Sequence, residues 1–132
     1  MSLFVEIEKD KGASVAADAI SEGRFLKRGG AGTVEHESAD NAAVLGVAAA
    51  DAASGEQVRI YLPGQYCRVQ AGVDLDPNDA THRYLAVDAT GKAKVAAVGM
   101  VVAALWLPSG AIDPAADDFI TVLLTDQSAI LA

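Results

Sequence analysis

From Gly23 onward the chain alternates short apolar runs with Gly, Asn, Asp and Pro, the spacing of a small body built from antiparallel strands. Strands are predicted over Arg24 to Lys27, Ala43 to Val47, Gln57 to Leu62, Tyr66 to Gln70, Tyr84 to Asp88, Ala93 to Ala97, Gly99 to Leu105 and Phe119 to Thr125. The fold class that follows is mainly β, a small antiparallel β-barrel or sandwich over residues 24–132. Residues 1–23 read as an N-terminal arm. Its start, Leu3-Phe-Val-Glu-Ile-Glu8, alternates apolar and acidic positions, and Lys9-Asp-Lys-Gly12 breaks the pattern. Ser14 to Glu22 reads as a short helix with Ser14 as its cap and Val15, Ala19 and Ile20 near one face.

A weak internal echo runs through this layout. Ala43-Val-Leu-Gly-Val47 followed by Val58-Arg-Ile-Tyr-Leu62 resembles Ala97-Val-Gly-Met-Val101 followed by Ile120-Thr-Val-Leu-Leu124, so two similar units are expected to pack together. In each, a glycine interrupts the first strand, where a bulge or barrel corner relieves crowding. The second unit carries the longer insertion, Trp106 to Asp118. Within it, Asp113 and Pro114 suit the cap and first position of a helical turn. The sole tryptophan lies in Leu105-Trp-Leu-Pro108, read as a loop that either plugs one end of the barrel or anchors a subunit interface. Leu105, Trp106, Leu107 and Pro108 are therefore the candidate subunit contact.

The segment Tyr84-Leu-Ala-Val-Asp-Ala-Thr-Gly-Lys-Ala-Lys-Val-Ala96, two alternating strands joined by a tight turn, is followed by Val98-Gly-Met-Val-Val-Ala103 and by Phe119-Ile-Thr-Val-Leu-Leu124 with its paired leucines. This succession resembles the small head decoration, or cement, proteins of tailed bacteriophages. The likeness spans roughly Gly23 to Leu124 and consists of strands and turns with few chemical groups. It implies a structural virion protein, made in the host cytoplasm, that binds the outer surface of an expanded capsid as a homotrimer and stabilises the head. The implied partners are the major capsid protein and further copies of the chain; no cofactor, metal or enzymatic activity is implied. The arm and the Trp106 to Asp118 insertion are both longer than the usual pattern of that family.

A physical mechanism goes with that reading. Phe4, Val5 and Ile7, set against Glu6 and Glu8, can add a strand to an exposed capsid edge, because main-chain bonds give affinity and alternate side chains give fit. The same residues can instead form an edge strand of their own barrel. Three arms on one trimer bind far more tightly than one, since the later contacts are intramolecular.

Composition narrows the partners. Of 132 residues, 52% are hydrophobic but only 5% aromatic, so an alanine-rich core buries little area per residue and association is a plausible further source of stability. The net charge of −8 repels phosphate backbones and anionic bilayers, which disfavours nucleic acid and membrane surfaces as partners. No apolar run approaches the ~20 residues needed to cross a bilayer, and no signal peptide is visible. Cys67 is the single cysteine, which rules out an intrachain disulfide.

Candidate chemistry is sparse. Asp74-Leu-Asp-Pro-Asn-Asp79 begins like a calcium loop, but Asp79 stands where glycine is needed and Leu85 where a closing glutamate belongs, so it reads as a self-capping turn. His36 and His82 both read as exposed loop residues, and Cys67 as a small buried strand residue. The basic group Arg24, Lys27 and Arg28 reads as a solvated strand edge, and Arg28-Gly-Gly-Ala-Gly-Thr33 as a flexible turn without the Gly-Lys-Ser/Thr ending of a phosphate loop. Lys92 reads as the solvated tip of a hairpin whose Gly91 takes positive φ. A lysine so placed also occurs in lipoyl and biotinyl carriers, whose flanking residues are missing here. The alternative class is a ligand- or glycan-binding module with Trp106, Tyr61, Tyr66 and Tyr84 as a stacking surface, which requires those aromatics to converge in one pocket.

Overall fold

The computed structural model describes residues 14–30, 32–108, 113–127 and 130–131. The fold is mainly β. Among the described residues ten strands run in chain order: β1 Val15–Ala16, β2 Phe25–Arg28, β3 Thr33–His36, β4 Gly46–Ala48, β5 Ile60–Tyr61, β6 Tyr66–Gln70, β7 Tyr84–Val87, β8 Ala93–Val95, β9 Ala104–Trp106 and β10 Phe119–Leu124. One 3₁₀ turn, Ala80–Arg83, precedes β7. The strands divide by sequence into two five-stranded sheets, ordered β1-β3-β2-β4-β5 and β6-β10-β9-β7-β8. All neighbours are antiparallel except β1 and β3.

Each sheet curls until its ends meet. In the first, β1 pairs with β3 on one side, while Val15 bridges Gln57 and Ala16 N–H donates to Glu56 O at 2.8 Å on the other. In the second, Ala71 at the end of β6 bridges Ala93 of β8, with Gly72 N–H donating to Ala93 O at 2.7 Å. Curling satisfies main-chain groups that an open edge would leave unpaired. The two sheets are then tied together: Gln70 N–H donates to Gly23 O, Phe25 N–H to Gly91 O and Asn41 N–H to Val87 O, at 2.8–3.0 Å.

Side-chain alternation sorts the apolar residues into two cores. The larger holds Cys67, Val69, Leu85, Val87, Ala104, Trp106, Ile120, Val122 and Leu124 from the second sheet, sealed by Phe25, Val44 and Val47 from the first. The smaller lies on the opposite face of the first sheet and comprises Ala16, Ile20, Leu26, Val34, Ala48, Ala52, Val58 and Ile60. Neighbouring residues Phe25 and Leu26 thus point into different cores, as the period of two requires. The tight spacing shows at Gly46 in β4: a Cβ there would strike Tyr61 O and come within 2.7 Å of Ile60 Cγ2.

Several elements differ from the sequence reading. No helix forms at Ser14 to Glu22. Val15 and Ala16 become β1, and Ala16 and Ile20 are buried in the smaller core, because tertiary burial outweighs the marginal propensity of so short a segment. Thr33, read as the end of a flexible turn, and His36, read as a loop residue, bound a strand, β3. The Asp113–Pro114 piece forms no helical turn; a turn at residues 115–118 takes its place, with Asp117 at φ 75° and Ala115 N–H donating to the Asp118 carboxylate. The strand expected from Gly99 starts only at Ala104, since Gly99 sits in a turn at φ 88°. The echo is therefore incomplete: Gly46 lies inside a strand and Gly99 outside one.

Candidate functional site

The shift of β9 toward the C-terminus changes what Trp106 does. It is not in a loop. It lies inside β9, pairs with Val122 of β10 and is only 4% exposed in the larger core. Of the four residues read as the subunit contact, Leu105 points the other way, Leu107 is exposed and Pro108 is half-buried. Leu105 belongs to a continuous row. Tyr66 of β6 stands opposite Leu123 of β10, Leu123 opposite Leu105 of β9, and Leu105 opposite Tyr84 of β7.

These four side chains cross the outer face of the second sheet, pointing away from the core by the same alternation that buries Cys67, Val122, Trp106 and Leu85. Tyr66 is 64% and Tyr84 43% exposed. The next row along the strands brings Arg68, Thr121 and Leu107, with Leu107 N–H donating to Thr121 O at 3.1 Å. Beyond it, Phe119 stands opposite Gln70, and the Arg68 guanidinium lies 4.8 Å from the Phe119 ring centroid. At the Tyr84 end, Ile130 is largely exposed beside a groove of about 470 Å³ lined by Tyr84, Val102, Leu105, Thr125, Asp126, Ile130 and Leu131. Ile130 is held there by the bridge between it and Val101. Tyr66, Tyr84, Leu107, Phe119 and Ile130 are each 39–64% exposed, so this side of the molecule presents aromatic and aliphatic side chains to solvent.

The stacking surface expected of a binding module is not assembled. Trp106 is internal, and Tyr61 lies in β5 packed against the larger core. Tyr66 and Tyr84 sit three strand spacings apart, about 14 Å at ~4.8 Å each. The convergence that reading requires is absent among these four residues.

The remaining polar candidates serve local structure. Asp76 Oδ1 accepts from Asn78 N–H, and Asp79 Oδ1 accepts from both the Thr81 N–H and its hydroxyl, which holds the Asp79 carboxyl below the usual range. This is the expected self-capping turn. His82 lies in the 3₁₀ turn rather than a free loop: Nδ1 accepts from Asp76 N–H at 2.8 Å and Nε2 lies 3.4 Å from Asp79. His36 is likewise not in a loop but at the end of β3, half-buried, with Nε2 accepting from Ser21 N–H at 2.9 Å. Burial, and then the nearby Arg24 charge, lower its pKa. Among the described residues no three His, Cys, Asp or Glu side chains are grouped to hold a metal ion.

Cys67 is buried as expected, its thiol pushed up to about 12 by desolvation, which leaves almost no thiolate near neutral pH. Arg24 donates to Gln70 and to Thr90 O, and Lys27 to Ser38, so these two tie segments together, while Arg28 is exposed as expected. Lys92 also departs from its expected role: Nζ bonds Asp117 at 2.6 Å, holding that carboxyl below its ordinary value, and Asp88 closes the hairpin by accepting from Thr90 and Lys92 N–H. Phe4, Val5 and Ile7 lie outside the described residues.

The outer row was only partly legible. Tyr66, Tyr84 and Leu105 were each singled out for other reasons, but Leu123 was not. The available signal was that Phe119-Ile-Thr-Val-Leu-Leu124 is apolar on both faces at its Leu123 end, as a strand covered on both sides would be.

Comparison with known proteins adds a fold likeness. The chain is similar to the solved structure titled "The crystal structure of head fiber gp8.5 N base in bacteriophage phi29", with a TM-score of 0.65 and 19% identity over 85% of this chain and 90% of that one. At that identity the likeness establishes a shared fold. No family model matches the sequence, and no curated protein matches it significantly.

Proposed function

We propose that this chain is a structural, non-catalytic protein of a bacteriophage virion, bound to the outer surface of the expanded capsid as a homotrimer and stabilising the head. The observation that carries the reading is the fold shared with the phi29 head fibre base, on a body that among the described residues exposes aromatic and aliphatic side chains along the outer face of its second sheet. That likeness agrees with the strand-and-turn resemblance to head decoration proteins. Curled, self-closed sheets suit the role, because a rigid block with its edges paired transmits load without recruiting stray strands.

In this reading the major capsid protein is the partner and the arm is the clamp. The segment containing Phe4, Val5 and Ile7 adds a strand to a capsid edge, with Val5 and Ile7 on one face and Phe4 on the face it shares with Glu6 and Glu8. Each arm contact is modest. Three on one trimer act together, and the avidity gain reaches 10²–10⁴-fold in order of magnitude without new contacts. A brace so formed resists outward movement of capsid subunits under the pressure of packaged DNA.

The test uses DNA-filled heads of the phage that encodes the chain, stripped of the protein and then refilled with either the full chain or residues 14–132. The full chain is expected to raise the temperature at which DNA escapes, and the truncated chain to restore little of that rise. Equal protection by both would remove the arm from the mechanism. No protection by either would overturn the reading.

A further inference from the structure

We infer that copies of this chain meet head to tail through the outer face of β6, β10, β9 and β7, with Tyr66 of one copy seated in the groove beside Tyr84 and Ile130 of the next. Three observations point there. The two ends of the outer row are unlike: Tyr66 stands 64% exposed at one end, whereas the other opens into a groove of about 470 Å³ lined by Tyr84, Val102, Leu105, Ile130 and Leu131. A projecting ring at one end and an apolar hollow at the other let copies join head to tail, and such a heterologous contact closes into a ring where the rotation between copies closes.

The second observation is charge. At −8, two copies repel wherever their acidic surfaces approach. The outward positions of these strands are Tyr66, Arg68, Gln70, Phe119, Thr121, Leu123, Leu105 and Tyr84, with Leu107 just beyond β9, and none is acidic. Asp117 and Asp118 stand beside Arg68 and Phe119, and Asp126 is among the residues that line the groove. Tyr66 and its outward neighbour Arg68 therefore bring no carboxylate against Asp126 of the next copy. The third is exposure: Tyr66, Tyr84, Leu107, Phe119 and Ile130 are each 39–64% exposed, aromatic and aliphatic side chains of the kind enriched at the centre of protein interfaces. Only the count of three copies rests on the function proposed above; the contact itself does not.

The test is the solution mass of the full chain by light scattering over a range of concentrations, with no capsid present. The wild type is expected to form a closed ring. Tyr66→Glu and Ile130→Glu, both at largely exposed positions, are each expected to weaken association by about 30-fold or more and to retain the wild-type circular dichroism. Val98→Glu, at a 78% exposed residue outside these strands, is the control and should assemble normally. Mixing the two defective variants decides the geometry. A Tyr66→Glu copy keeps its groove and an Ile130→Glu copy keeps its tyrosine, so a head-to-tail contact predicts recovery of 1:1 pairs. A mixture that stays monomeric, variants that assemble like wild type, or a wild type monomeric throughout would each overturn the inference. Rings that fail to bind heads would sink the virion reading alone, and monomers that bind heads would sink this inference alone.

Discussion

Replacing Trp106 with alanine distinguishes a core tryptophan from an interface anchor. Its side chain is 4% exposed, opposite Val122, in a core whose other members include Ala71, Ala93, Ala103 and Ala104. Alanines have no rotamers with which to fill a void, so the cavity should persist. If roughly 100 Å³ of the ~140 Å³ removed stays empty, the cavity contributes about 2.4 kcal/mol at ~24 cal/mol per Å³. Loss of the buried aromatic surface adds about 2 kcal/mol, for a total near 4–5 kcal/mol, at the upper end of large-to-small core substitutions. Against a typical stability of ~5–15 kcal/mol, that is a large share of the folding free energy. Urea unfolding followed by circular dichroism, at protein concentrations where subunits are dissociated, measures it without a contribution from assembly. Leu107→Ala, one residue along and exposed, should cost about 1 kcal/mol or less. A Trp106→Ala protein that loses under about 1 kcal/mol yet fails to assemble would refute the placement of Trp106 in the core.

Two further outcomes follow from local geometry. Gly46→Ala forces a methyl group against the Tyr61 carbonyl across the β4–β5 pair, so it should lower stability by about 3 kcal/mol, while Gly99→Ala, with open space but φ 88°, should lose only about 1 kcal/mol of backbone strain, both read by thermal unfolding. His36 accepts the Ser21 N–H through an unprotonated Nε2, and its folded pKa lies below 6.5, so the unfolded chain takes the proton first. Stability should therefore be level above that value and fall as pH drops through 6.5 toward the folded pKa; a His36→Gln variant showing the same fall over that window would contradict the assignment.

The strands that the sequence announced best are those with clean alternation and one buried face. Tyr66 to Gln70 was read to the residue, because Cys67 and Val69 alternate with Tyr66, Arg68 and Gln70. Residues 33–36 escaped because Val34 is the one apolar residue of β3, too little for a period-two signal, even though its antiparallel partner β2 lies just before it in the chain. Val15 and Ala16 escaped for a related reason. Two residues carry no periodicity, and what orders them is contact with Gln57 and Thr33. The division into two curled sheets was foreshadowed by the internal echo, although the residues that echo do not occupy equivalent places. At the site, Leu105 and Leu107 were in view, but the row through Tyr66, Leu123 and Tyr84 depends on register across four strands, which no single segment encodes.

The central claim is attachment to the outside of a phage head, and co-sedimentation of the purified chain with isolated heads measures it directly. Saturable binding to expanded heads, with little to unexpanded ones, is the predicted result. A chain that stays in the supernatant with both forms at concentrations where it is folded would contradict the account.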